Sequence, residues 1–190
     1  MRSTRAALPL LAAALLAWPA TPRAASVRVD EVSFDAEVEA PGASLRLAGA
    51  GLFRWKWFVK VYASAHYLQA GSPRPGPEVD QPRRLEFSYL VGIEGADFGK
   101  AADELLARSF PAGTLAPLRE RLARLHAAYV DVRPGDRYAL TYLPGQGTEL
   151  AYNGRRLALI EGADFARVYY AIWLGEEPID KGLRDRLLGR

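Results

Sequence analysis

From Phe53 to Leu68 the chain alternates without a break. Phe53, Trp55, Trp57, Val59, Val61, Ala63, Ala65 and Tyr67 hold the odd positions, and Arg54, Lys56, Phe58, Lys60, Tyr62, Ser64, His66 and Leu68 the even ones. Strand side chains point alternately to the two faces of a sheet, so the pattern predicts one long strand with an apolar face and a polar, basic one. A period of two sustained over this length excludes a helix there. It commits the chain to a sheet whose other strands must be found nearby.

They are found on both sides. Val27 to Val38 alternates with a shift of phase in the middle, which predicts a half-exposed strand, and Pro41-Gly42 turns the chain into the long strand region Ser44 to Gln69. Gly49 and Gly51 within that region mark a bulge, a bend or a second turn. Gly71 to Pro82, rich in proline and glycine, reads as a surface loop, and Arg83 to Val91 as a strand. Helical spacing follows over Asp97 to Phe110. Thr114 stands as N-cap of a second helix carrying the stripe Leu115, Leu118, Leu122, Leu125 and Tyr129, with Pro117 in its first turn. Strands return at Arg137 to Leu143, Thr148 to Tyr152 and Arg155 to Ile160, the last two joined by Asn153-Gly154, the strongest short hairpin signal in the chain. Two closing helices are predicted, Phe165 to Leu174 capped by Asp164 and Lys181 to Leu188 capped by Asp180. This order describes an α+β domain with one antiparallel sheet and helices on one side.

The overall charge of +3 comes from 25 basic and 22 acidic residues. Arg2, Arg5 and Arg23 stand in the first 25 residues with no acid, so everything after them is neutral. Arg2 and Arg5 precede an apolar run, Ala6 to Leu16, and the small residues Ala24, Ala25 and Ser26 close the segment. That is the layout of a secretory signal peptide, and the apolar run is shorter than the ~20 residues that span a bilayer. The expected division is a signal peptide over 1–25 and one domain over 26–190, exported to the periplasm and without a transmembrane segment after cleavage. The neutral remainder offers no clustered excess of positive charge, and no nucleic-acid partner is expected.

Chemistry is sparse. With no cysteine, thiolate metal sites and cysteine nucleophiles are excluded, and the only imidazoles, His66 and His126, lie far apart in sequence, so no metal site is expected. The usual nucleophile-elbow, phosphate-loop, zinc-protease and dinucleotide motifs are absent, and no catalytic residue is assigned. What remains is the even-numbered face of the long strand. A guanidinium at Arg54 and a phenol at Tyr62 are suited to bind a carboxylate or an enolate-like oxygen of a small ligand. Eight residues of unbroken strand span roughly 26 Å, so the two reach one head group only where the strand bends or breaks.

Gly49 to Leu68 (GAGLFRWKWFVKVYASAHYL) resembles the glycine-rich entry and the "F-x-K-V-Y-x-x-x-x-Y-L" strand of the chalcone isomerase-like family. The hairpin Pro144 to Thr148 with Tyr152 to Gly154, and the closing segment Phe165 to Leu188 with Ile172-Trp-Leu-Gly175 and Pro178, agree with that family in order and spacing. The resemblance implies an open-faced antiparallel β-sandwich with helices packed on the sheet, needing no cofactor. It also implies where catalysis would lie, and most of that set is missing. Strict spacing puts Ala50 where the plant enzymes carry arginine, with Arg54 the nearest one. Tyr62 replaces their threonine, as in fatty-acid-binding members; Asp97 to Phe110 holds no tyrosine or asparagine; and Ile172 stands where a hydroxyl is expected. A binding protein for a small amphipathic or carboxylate ligand such as a fatty acid, with Arg54 and Tyr62 as ligand-binding residues, follows from this pattern. A cofactor-free intramolecular lyase acting on a phenolic or enone substrate and an envelope protein-interaction module remain as alternatives.

Overall fold

The computed structural model describes residues 25–72 and 76–190. The expected signal peptide lies, but for Ala25, outside the described residues, as do residues 73–75 of the proline-rich loop. The amino-terminal region expected as one strand is three. β1 (Ser26–Val29) and β2 (Val32–Asp35) form a separate hairpin that turns at Asp30, and β3 (Glu37–Ala40) begins the main sheet. The phase shift in the sequence is where the chain leaves one pairing for another.

β3 is followed in the sheet by β4 (Ala43–Trp55), β5 (Val59–Gln69), β6 (Arg83–Tyr89), β7 (Arg137–Leu143), β8 (Gly147–Tyr152) and β9 (Arg155–Ile160). The seven strands lie side by side in chain order, each antiparallel to the next. Asn153-Gly154 makes the β8–β9 turn, both residues at positive φ, as the sequence requires.

Helices cover one face. α1 (Gly95–Ser109), the single turn α2 (Ala112–Leu115) and α3 (Arg119–His126) fill the connection from β6 to β7, and α4 (Ala163–Leu174) and α5 (Lys181–Leu187) follow β9. The stripe of the middle helices buries Leu118, Leu122 and Leu125, but Thr114 sits within α2 and makes no side-chain cap. Asp180 caps α5, its carboxylate accepting from the Leu183 amide at 2.5 Å. Asp164 does not cap α4; Gly162 holds that position at φ 104, and Asp164 instead takes both guanidinium nitrogens of Arg121 from α3. The cap is displaced because that ion pair ties α3 to the start of α4. Among the described residues no helix is long and apolar enough to cross a membrane.

The long strand region from Ser44 to Gln69 is two strands, β4 and β5, joined by the loop 56–58, and its phase breaks twice. Leu45 and Leu47 pack with Val32, Phe34 and Tyr67 on the face covered by the β1–β2 hairpin. A register shift between Leu47 and Gly49 reverses β4, so Ala50 and Leu52 continue that face while Gly49, Gly51 and Phe53 turn to the helices. The glycines are needed for close approach. A Cβ on Gly49 would fall on the carbonyl oxygens of Arg186 and Leu187 in α5, and one on Gly51 would lie 2.8 Å from Arg186 Nε and 2.9 Å from Leu183 Cδ1. A second shift, between Phe53 and Arg54, leaves Val61 without a cross-strand partner. It reverses the faces again next to the 56–58 loop.

The polar face expected on β5 is therefore not a wet one. Tyr62, Ser64, His66 and Leu68 are buried beneath helices, and Ala63, Ala65 and Tyr67 are buried on the other side. His66 is sealed under α5, its Nδ1 3.2 Å from the Leu187 carbonyl oxygen and its Nε2 without a partner among the described residues. Beside it Arg83 is fully buried, donating to the carbonyls of Gly76 and Val79 and resting against the Tyr170 ring.

Candidate ligand-binding cavity

At the opposite end of the same face the helices stand off from the sheet. β4 and β5 contribute Phe53, Trp55, Val61 and Tyr62 to one wall, and α1 contributes Phe98, Ala101, Ala102 and Leu105 to the other. Tyr129, which follows α3, and Tyr169, Ile172 and Trp173 of α4 close the floor. The cleft they line, open on one side, has a volume of about 950 Å³. That falls within the ~300–1,000 Å³ usual for small-ligand sites.

Aromatic packing explains why the space does not collapse. Phe53 stacks on Tyr62 with ring centroids 5.0 Å apart, Tyr62 meets Phe87 and Tyr89 edge-on, and Phe98 stacks on Tyr129 at 4.9 Å. Large rings in mutual contact fix the separation of the elements that carry them. α1 is held at its start by Asp131, whose carboxylate accepts from the Gly95 amide at 2.8 Å. The segment behind it is pinned by Tyr138, whose hydroxyl accepts from the Val130 amide and donates to its carbonyl. The Tyr170 hydroxyl donates to the Leu140 carbonyl at 2.8 Å and locks α4 to β7.

Polar groups on the lining are few. Trp173 Nε1 donates to the Tyr62 hydroxyl at 3.1 Å, which leaves the phenol's own proton for another acceptor. The hydroxyls of Tyr129 and Tyr169 bond to each other at 3.0 Å. Burial raises the pKa of Tyr62, and of Tyr89, Tyr129 and Tyr169, above the usual phenol value. These phenols stay protonated at neutral pH, so Tyr62 is a hydrogen-bond donor and not a base. Around the mouth stand Glu94, Asp97 and Glu104, with Arg108 as the cation of the lining. Asp97 is paired with Lys100 at 2.8 Å, so the lining carries no excess of positive charge, which disfavours a polyanion.

The structure does not bring Arg54 and Tyr62 together. Tyr62 pairs with Phe53 and lines the cavity; Arg54 pairs with Lys60 beyond the register shift and belongs to the other face. There Lys60 bonds both carboxylate oxygens of Asp30 at 2.8 Å. That hydrogen bond, with the charges of Lys60 and Arg54, holds the Asp30 carboxyl below its ordinary pKa. His126 lies 3.6 Å from the Asp103 carboxylate, outside the cavity lining, and burial lowers its pKa. Among the described residues no group of three or more potential ligand side chains is placed to hold a metal. Sequence reasoning missed most of the lining because it comes from three separate segments. The spacing of Tyr169 and Trp173, one helical turn apart, was the available signal for an aromatic floor.

A family model described as chalcone isomerase-like matches residues 26–189. Among solved structures, the fatty-acid binding protein of Arabidopsis thaliana superposes with a TM-score of 0.64 at 20% sequence identity, over 86% of this chain and 96% of that one. No curated protein sequence matches the chain. At that identity the structural likeness speaks for the fold.

Proposed function

The chain belongs to the chalcone isomerase-like family, and from that premise we propose that it binds a small amphipathic ligand such as a fatty acid without transforming it. The observation that carries the proposal is the 950 Å³ aromatic cavity lined by Tyr62, whose oxygen already accepts from Trp173 and whose proton is left for a ligand. The apolar body of the ligand lies against Phe53, Tyr89, Phe98 and Leu105, and an oxygen of its head group accepts from Tyr62. The fatty-acid binding named for the similar Arabidopsis protein supports this reading, and Arg108 is the cation of the lining available to a carboxylate head. Cyclisation of a phenolic enone needs preorganised donors for the developing oxyanion and a cationic group that holds the attacking phenolate. Protonated phenols in an apolar wall serve the first need weakly and the second not at all. Location is part of the proposal: the basic, apolar and small-residue order of Arg2 to Ser26 fits export to the periplasm, and no nucleic acid enters the scheme.

Native mass spectrometry of the protein recovered from the periplasm of its own cells tests the reading. A co-purified lipid of fatty-acid mass, with a rise in melting temperature on adding the same lipid, is the expected result. A ligand-free spectrum, with no melting shift across fatty acids of increasing chain length, would overturn it.

A further inference from the structure

The loop joining β4 to β5 is built against local preference. Lys56 and Trp57 occupy consecutive left-handed conformations at φ 46 and 58. The β8–β9 turn meets the same demand with Asn153 and Gly154, at φ 47 and 80, the residue types that adopt it at least cost. A lysine and a tryptophan do so only where the surroundings or the function require their side chains.

What the loop gains is exposure of aromatic surface. Trp57 is 84% exposed, Phe58 61% and Trp55 54%, in a molecule whose other aromatic rings are largely packed. Trp57 and Phe58 meet edge to face with centroids 5.5 Å apart, and the Lys56 ammonium lies 4.3 Å over the Trp55 ring. Arg54 and Lys60 stand immediately behind. Asp30 pairs with Lys60, so among the described residues Arg54 and Lys56 are left as the excess charge of the tip. Exposed indole and phenyl rings beside basic side chains match the headgroup region of an anionic bilayer, where tryptophan partitions and lysine or arginine meets lipid phosphate. The tip is also continuous with the cavity: Trp55 belongs to both, and Phe53 next to the tip on β4 lines the cavity.

We propose that the 54–60 hairpin tip is a membrane-docking element that holds the β4–β5 edge of the cavity against an anionic lipid surface, Trp57 and Phe58 entering the interface and Arg54 and Lys56 pairing with headgroups, while Glu94, Asp97 and Glu104 belong to the α1 wall. The inference deepens the ligand reading above and rests on it for its purpose, since a lipid-binding cavity opening at the bilayer exchanges its ligand without passage through water. The docking itself is tested separately.

The full chain is sedimented with vesicles of equal parts phosphatidylglycerol and phosphatidylcholine, alongside the Trp57→Ala/Phe58→Ala and Lys56→Gln variants. The wild type should pellet with these vesicles and less with phosphatidylcholine alone. The double variant should partition at least about tenfold more weakly, and Lys56→Gln about fivefold, the effect of one basic residue near an anionic surface. Melting temperatures and fatty-acid binding in vesicle-free solution should stay unchanged. A wild type that does not pellet overturns the inference, as does a double variant that pellets equally, which places attachment elsewhere in the chain. So does loss of a dimer on substitution, which makes the tip's partner a second copy. Vesicle binding by a protein that takes no fatty acid in solution would leave the docking standing and remove the reading of the cavity.

Discussion

The two ends of β5 share one face of one strand and do opposite things. At His66 the helix sits on the sheet with nothing between them, because Gly49 and Gly51 present no side chain to α5. At Tyr62, four residues away, Phe53, Tyr89 and Phe98 keep the helices apart and leave a cavity. A glycine pair and an aromatic pair on the neighbouring strand decide which end is sealed and which is open. The closed end carries stability, and the open end is left available for a ligand.

The largest test of that contrast is Gly49→Ala. Its methyl group would overlap backbone oxygens of α5, which have no rotamer by which to escape, so a loss of about 3 kcal/mol or more is expected in urea denaturation. A near-neutral outcome would mean that α5 is not seated as described. His66 tests the same end through pH. Burial, aided by the charge of Arg83, pushes its pKa down to about 4, against an ordinary value near 6.5. Between these values the unfolded chain binds more protons than the folded one, so stability present above pH 6.5 is lost as pH falls toward 4, by roughly 3 kcal/mol. His66→Gln, which keeps a donor for the Leu187 carbonyl and does not titrate, should lose that much less between pH 7 and pH 4. Equal acid sensitivity of the two proteins would show that His66 is not buried in its neutral form.

At the open end the effects are smaller and fall on binding. Tyr62→Phe keeps the ring stack with Phe53 and removes the inward donor, which predicts about fivefold weaker fatty-acid binding, the worth of one hydrogen bond of ~1 kcal/mol. Unchanged affinity would move the head group elsewhere, and Arg108 is the residue to substitute next.

The sequence was legible wherever local chemistry acted alone. Asn153-Gly154 announced its turn, Asp180 its helix, and the alternation from Phe53 to Leu68 its sheet. The register shift after Leu47 was half legible, because Gly49 and Gly51 marked a bulge, a bend or a second turn there; the shift after Phe53 was not, since an extra residue in a bulge leaves the pattern of residue types intact while reversing the faces. Arg54 and Tyr62 share a parity in the sequence and lie on opposite faces in the molecule for that reason alone. The burial of His66 and Arg83 escaped notice because polar residues on an alternating strand ordinarily face water, and here α5 and the 76–79 segment cover them. The cavity was half visible: Tyr62 could be picked out on its strand, but Phe98, Tyr129 and Trp173 meet it only through the tertiary fold.

The account turns on the cavity being the binding site, and filling it is the most direct test. Ala101 lines the space from an exposed position on α1, so Ala101→Trp adds a ring to the cavity with little disturbance of the core. Titration of both proteins with palmitate, followed by calorimetry, should show binding to the wild type and at least about a tenfold loss in the variant at equal melting temperature. Equal affinity in the two proteins would place the ligand outside this cavity and contradict the account.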